Sequence, residues 1–393
     1  MNKIKEKIKY LLIGILIYPF KKIFPIQKGI WIFGAQGGEK YVQNSKYLFE
    51  YVLRHSANAF WVTQSKSVYL SLKEAGLPVL YNLSFKGIRY VLTAEYVVFS
   101  TEISKDILYT CKRDGRKIIN VWHGMPMKKI GFDHTGSPNS LLEKVHSCLW
   151  NIFIGSLRPK DIDFMSSTSP FFTDILKKSF RISNVFDFGE PRTDAFYSWN
   201  LNQIRKKMGF AEEDYVILYM PTHRNFGRGE MNPSIFKSNG TAIDYFKENN
   251  ITVIWKFHIN MLRNYKSDNQ CSSVFRDFSL SSYDPQELLF VADMLITDYS
   301  SCYIDYLLLH RPVLFYLYDD YETQDNEIYF SSLDHNLGDV CHTEIQLLEA
   351  IKKRIKLPNQ FIPNIIYHSH HDGKSCERIY NYIIEAENRD ESI

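Results

Sequence analysis

The sequence predicts an α/β protein made of two successive Rossmann-like units, each a doubly wound parallel sheet. Three observations predict it. From Gly29 onward, short apolar runs alternate with amphipathic stretches, the pattern of repeated βαβ units. A second series of the same kind begins near Tyr215. The length of 393 residues exceeds what one domain usually occupies.

The first series reads as strand Ile30–Phe33, helix Tyr41–His55 and strand Phe60–Val62. Further strands are expected at Pro78–Tyr81, Tyr96–Ser100, Ile118–Val121, Phe164–Ser167 and Val185–Phe188. The second series reads as strand Val216–Tyr219, helix Ala242–Glu248, strand Thr252–Phe257, helix Pro285–Val291, strand Met294–Ile296, helix Ser301–Leu309 and strand Val313–Tyr316. Between the first two of these, Asn225–Gly240 is rich in Gly, Asn and Ser and reads as a long loop. A last helical pattern runs from Ser375 to Glu387. Three segments follow: 1–28, a basic apolar segment; 29–205, the first Rossmann-like domain; and 206–393, the second, with the terminal helix. In open sheets of this kind ligands bind at the carboxyl ends of the strands, so a cleft between the two domains is the expected site.

Segment 1–28 holds seven lysines and one acid, Glu6, in a chain whose total charge is only +3. Its apolar run, Tyr10–Phe20, is 11 residues long, about half of the roughly 20 a spanning helix needs. No small-x-small cleavage site follows it. The expectation is peripheral, monotopic attachment to the anionic cytoplasmic leaflet of a membrane; the alternative is a helix packed on the protein's own surface. The small net charge excludes a nucleic-acid binder. The six cysteines form no C-x-x-C pair, which points to a reducing compartment and away from zinc.

The chemistry gathers at predicted strand ends. Trp122-His123-Gly124 follows one strand, and an imidazole there suits a general base because its ordinary pKa lies near neutrality. Gly189-Glu190-Pro191-Arg192 follows another, with Gly189 permitting close backbone approach and Arg192 able to clamp an anion. In the second half, Thr222-His223-Arg224 and Lys256-Phe257-His258 end two strands with groups suited to phosphate oxygens. Thr297-Asp298-Tyr299-Ser300-Ser301 runs from a buried strand into a helix, where free backbone N–H groups and hydroxyls favour an anion. No dinucleotide, P-loop or hydrolase fingerprint is present. Asp161-Ile162-Asp163 has the form of a metal-binding pair but reads as a solvated strand entrance, and no metal ligand set is expected.

These residues resemble a family, the CDP-glycerol glycerophosphotransferases of teichoic acid and related cell-surface polymer synthesis. The likeness covers most of the chain from about Trp31. It includes Trp31-Ile-Phe-Gly34 with Asn44-Ser-Lys-Tyr47, Trp122 to Asp133, Gly189 to Asp194, Leu218 to Arg224, Lys256 to His258, and Leu295 to Ser301 with Asp305. The resemblance implies a GT-B-like fold and transfer of a polyol phosphate from a CDP-activated donor. It implies catalytic roles for His123 and His258. Substrate binding is expected at Gly124, Gly189, Arg192, Thr222, Arg224, Lys256, Thr297, Asp298, Ser300 and Ser301. Shorter members of the family resemble primases acting on an undecaprenyl-diphosphate-linked glycan, which implies a lipid-borne acceptor and no required cofactor. Met125, Met127, His223 and Ile259 depart from the family pattern and leave ribitol phosphate open as the transferred group. Two further alternatives are a GT-B glycosyltransferase using a nucleotide sugar and a silent membrane-bound scaffold of a polymer assembly complex.

Overall fold

The computed structural model describes residues 2–56, 58–133, 141–155, 157–222, 233–236, 242–257, 274–319, 328–330, 337–357 and 365–390. Two compact units emerge, one of residues 1–125, 130–195 and 368–393, the other of 126–129 and 196–367.

Among the described residues of the first unit, seven parallel strands form one sheet: β1 Gln27–Gly34, β2 Ala59–Thr63, β3 Val79–Tyr81, β4 Ala94–Phe99, β5 Lys117–Asn120, β6 Phe164–Ser166 and β7 Val185–Phe186, in the order β3-β2-β1-β4-β5-β6-β7. Ile32, Val62, Val97 and Ile118 from the central strands are fully buried in one core cluster, as expected of strands covered on both faces. In the second unit six described strands repeat the plan: β8 Tyr215–Tyr219, β9 Ile251–Trp255, β10 Phe275–Asp277, β11 Met294–Thr297, β12 Val313–Tyr316 and β13 Asp339–Cys341, in the order β10-β9-β8-β11-β12-β13. In both sheets the strand order therefore reverses beside the first strand, between β1 and β4 and between β8 and β11, where open α/β sheets bind ligands.

The strand-helix alternation read from the sequence is present in both units. Two edge strands, β10 and β13, and the helix Glu344–Lys356 were not anticipated. The loop read at Asn225–Gly240 lies largely outside the described residues; within it Ser234–Phe236 forms a short 3-10 turn.

The division of the chain differs from the segments expected. The first unit ends at Ala195 rather than 205, because the following residues anchor in the second. Phe196 and Trp199 pack on Phe290 with ring centroids 6.0 and 5.5 Å away, and Arg205 pairs with Asp293 at 2.5 Å while donating to the Val291 carbonyl. Residues 368–393, expected in the second domain, belong to the first. There the half-buried carboxylate of Asp194 accepts from the N–H groups of Ser375 and Cys376 at 2.9 and 2.7 Å, capping the helix Ser375–Asp390. Arg378 adds a bond to the Phe188 carbonyl, and Tyr380 stacks on Trp31.

At the N-terminus, the helix Asn2–Ile17 continues into a 3-10 turn, Tyr18–Lys22. Tyr10, Ile13 and Ile17 pack against Leu108, Tyr109 and Ile154 of the same unit, while Ile8, Leu12, Leu16, Phe20 and Ile23 are exposed. The segment is thus anchored on the protein and apolar toward solvent at once. Its partner is the helix Leu141–Phe153, approached so closely that a Cβ on Gly14 would lie 2.9 Å from the Phe153 carbonyl oxygen. Lys21 donates to that carbonyl at 2.7 Å. Among the described residues no helix is long and apolar enough to cross a membrane.

Candidate active site

The site residues of the first unit follow β5, in the case of His123 and Gly124, and β7, in the case of Gly189 and Arg192. β5 ends at Asn120, whose side-chain oxygen accepts from the Trp122 N–H at 2.9 Å and turns the chain sharply. Trp122 consequently sits at φ +53, in the left-handed region that non-glycine residues seldom adopt. Gly124 follows at φ +136, a conformation that calls for glycine, and a Cβ there would lie 2.9 Å from Arg192 Nη2 and displace the guanidinium.

His123, between them, is half-buried. Its Nδ1 lies 2.9 Å from the Ser100 carbonyl oxygen. A carbonyl only accepts, so Nδ1 carries the proton in the neutral ring and Nε2 keeps its lone pair. Desolvation pushes the imidazole pKa down to about 4; the bond to Ser100 opposes the shift and the Arg192 charge reinforces it. The ring is therefore neutral at physiological pH, with a basic nitrogen of defined identity.

Arg192, expected to clamp an anion, is committed inside the unit. Its Nη1 donates to the His123 carbonyl at 2.6 Å, and its Nη2 pairs with Glu190 at 3.2 Å. Glu190 is 1% exposed and also accepts from Asn44. Gly189 adopts φ +93, and a Cβ there would meet Ser375 Oγ at 2.3 Å, so its close approach is to the terminal helix.

In the second unit the site residues gather at the ends of β8 and β11. Asp298 Oδ1 accepts from both the N–H and the hydroxyl of Thr222, at 2.7 and 2.6 Å, and Thr297 Oγ1 donates to the Met220 carbonyl at 2.8 Å. These bonds lace the two strand ends together on either side of the switch point. Ser300 and Ser301 come next, at the start of a short helix, Cys302–Tyr306. Ser301, at the N-cap position, makes no side-chain capping bond. Lys256, at the end of β9, donates to the carbonyls of Phe278, Ser281 and Tyr283 at 3.2–3.4 Å, bracing a loop. His258 and Arg224 lie outside the described residues.

The structure therefore brings together His123, Gly124 and Arg192 in one unit, and Thr222, Thr297 and Asp298 in the other. Asp161 and Asp163 turn instead to Arg158 and Lys112. Sequence reasoning gave no role to Asn44, Ser45, Ser100 or Glu190, which enclose His123. Asn44, Ser45 and Glu190 fall within segments that carry the family resemblance, and Ser100 directly follows β4; those were the available signals.

A family model described as CDP-glycerol:poly(glycerophosphate) glycerophosphotransferase matches residues 16–385. The teichoic acid poly(glycerol phosphate) polymerase of Bacillus subtilis (strain 168) is 26% identical over 98% of this chain and 53% of its own length, so the chain spans about half of that relative. The teichoic acid glycerol-phosphate transferase of Staphylococcus aureus (strain NCTC 8325 / PS 47) is 24% identical over 97% of this chain and 100% of its own. Among solved structures, the wall teichoic acid polymerase TagF matches with a TM-score of 0.78 at 21% identity, covering 99% of this chain and 98% of that one. At that identity the likeness is one of fold, and the fold is the GT-B-like class that the resemblance implies.

Proposed function

Because the chain belongs to the CDP-glycerol:poly(glycerophosphate) glycerophosphotransferase family, enzymes whose donor is CDP-glycerol, we propose that it transfers glycerol phosphate to a hydroxyl of a lipid-linked glycan and releases CMP. The observation that carries this reading is the state of His123: neutral, with Nδ1 tied to the Ser100 carbonyl and Nε2 a proton acceptor.

In the proposed reaction His123 Nε2 takes the proton of the acceptor hydroxyl as its oxygen attacks the glycerol-bearing β-phosphorus. The bond from that phosphorus to the bridging oxygen breaks, and CMP departs with the electron pair. Such transfers need positioning and charge stabilisation more than covalent chemistry. The laced strand ends of the second unit would receive the donor phosphates, with the hydroxyls of Ser300 and Ser301 donating to them. His258 and Arg224 join this reading on the strength of the family motif alone. Thr222, Thr297 and Asp298 set the shape of the rim, while the internal bonds of Arg192 and Lys256 favour supporting roles over direct contact with the donor.

Attachment at the cytoplasmic membrane face is supported by the exposed apolar side chains of the N-terminal helix, with its lysines, and by Val145, Leu149 and Ile152 on the helix Leu141–Phe153 packed beside it. A lipid-borne acceptor would be met at that surface.

The test is CMP release by the purified protein in detergent, offered CDP-glycerol, CDP-ribitol or UDP-sugars with a short-chain lipid-diphosphate disaccharide. Acceptor-dependent CMP from CDP-glycerol is the expected result. CMP from CDP-ribitol alone would change the transferred group, and release of a nucleoside diphosphate would replace the reaction by glycosyl transfer.

A further inference from the structure

We propose that Asn44 and Ser45, neighbours in the first turn of the helix Gln43–His55, are positioning residues for His123, the first holding the backbone that carries the ring and the second the residue whose carbonyl orients it. The inference rests on the reading of His123 as the general base.

Asn44 is fully buried, and every polar atom of its side chain is engaged. Its amide nitrogen donates to the carbonyls of Val121 and Trp122 at 2.9 and 3.2 Å and to Glu190 at 3.0 Å. Its oxygen accepts from the Arg192 N–H at 3.1 Å. One side chain thereby grips the peptide groups on both sides of the left-handed Trp122, a backbone that relaxes readily unless its carbonyls are held. The same side chain fixes Glu190 and Arg192, and the Arg192 guanidinium holds the His123 carbonyl.

Ser45 acts on the other end of the imidazole. Its N–H and its hydroxyl both meet Ser100 Oγ, at 3.1 and 2.7 Å, and the Ser100 carbonyl is the acceptor for His123 Nδ1. The Ser100 N–H is bound in turn by the buried carboxylate of Asp106 at 3.1 Å. The Thr101 N–H, which shares a peptide plane with the Ser100 carbonyl, is bound by the same carboxylate at 2.7 Å, so Asp106 holds the plane that selects the tautomer while Ser45 holds the Ser100 side chain. A helix that merely packs on the sheet has no need to place two adjacent polar residues on two different supports of one ring.

The experiment compares the full-length protein with Asn44→Ala, Ser45→Ala and His123→Ala. It measures CMP release, the Kd of CDP-glycerol, and the tautomer of His123 from long-range proton–nitrogen spectra of 15N-histidine protein. The His123 signals among the 12 histidines are those missing from His123→Ala. Asn44→Ala is expected to lower kcat about 100-fold while leaving the donor Kd within about threefold, the cost of misplacing a reacting group. Ser45→Ala is expected to lower kcat about tenfold, as for loss of one hydrogen bond. In both, His123 passes from the Nδ1–H form to a mixture of tautomers. If kcat falls only in step with the folded fraction, and the tautomer and pH profile stay as in the parent, Asn44 and Ser45 are packing residues and the proposal is overturned. If Asn44→Ala does not fold, Ser45→Ala decides by the same spectra. Full turnover by His123→Ala would overturn the general-base reading instead, and the tautomer spectra would show separately whether the two residues hold the ring.

Discussion

The two units place their polar groups at the same point of the same topology, yet they use them differently. At the switch point of the first, the charges cancel inside the protein: Glu190 and Arg192 pair, Asn44 links them to the backbone, and His123 Nε2 is the group whose bonding is left to a substrate. At the switch point of the second, an aspartate braces the neighbouring strand end through Thr222, and two serines follow it. The first arrangement suits holding one proton acceptor still. The second suits a rim that receives an anion. The lesson is that topology fixes where a ligand goes, while the balance of buried charge decides what that place does.

The comparison breaks most sharply at His123. His123→Ala should lower kcat by about 10³-fold, the usual scale for loss of a general base, while calorimetry shows an unchanged donor Kd. Equal loss of donor binding would make the first rim a binding site and erase the contrast. A smaller but wider effect is expected from Asp298→Ala, which leaves the Thr222 N–H without its acceptor. The protein should lose about 1–3 kcal/mol of stability in urea unfolding and bind CDP-glycerol more weakly. Stability loss with donor affinity intact would move the phosphate site away from β8 and β11.

Ser301→Ala sharpens the same side of the comparison. With no capping bond to lose, its melting temperature should not change, and its donor Kd should rise about tenfold, as for loss of one bond to a charged group. The pH profile tests the first unit alone. A His123 pKa depressed to about 4 keeps the base unprotonated as the pH falls from neutrality, so the acid limb of kcat/KM should lie well below the ordinary imidazole value near 6.5. By the same sign, the folded state resists protonation that the unfolded state accepts, and stability is lost as pH falls through that window. An acid limb at 6.5 would mean that the ring is solvated and the enclosure ineffective. The smallest effect on the donor is expected from Lys256→Met, which removes three bonds to loop carbonyls and should lower the melting temperature by a few degrees with donor Kd within about twofold.

Much of this architecture is legible in the sequence, for physical reasons. Parallel strands buried on both faces leave uninterrupted apolar runs, so β4, β8 and β12 are plain to see. β10 and β13 are short edge strands that carry Arg276 and Asp277, or Asp339, and lack such a run. His123 stands out because an imidazole directly after an apolar strand is chemically conspicuous. Asn44 does not, since an asparagine near the start of a helix normally serves the local backbone. Its partners here lie 77, 78, 146 and 148 residues away, separations that no local pattern encodes. The position of the serines was legible as well, but whether they cap the helix depends on backbone angles that composition does not determine.

The cap on the terminal helix has a consequence for how the molecule is made. Asp194 leaves the ribosome 181 residues ahead of Ser375, and between the two all of the second unit except residues 126–129 is synthesised. The unit that carries His123 therefore lacks the cover of Trp31 and of the Phe188 carbonyl until the residues from Ser375 onward have been made. The Asp194 carboxylate waits meanwhile without its two N–H donors. Folding of the first unit cannot be strictly vectorial, and a nascent fragment released before Ser375 would hold a complete second unit beside an unfinished first one.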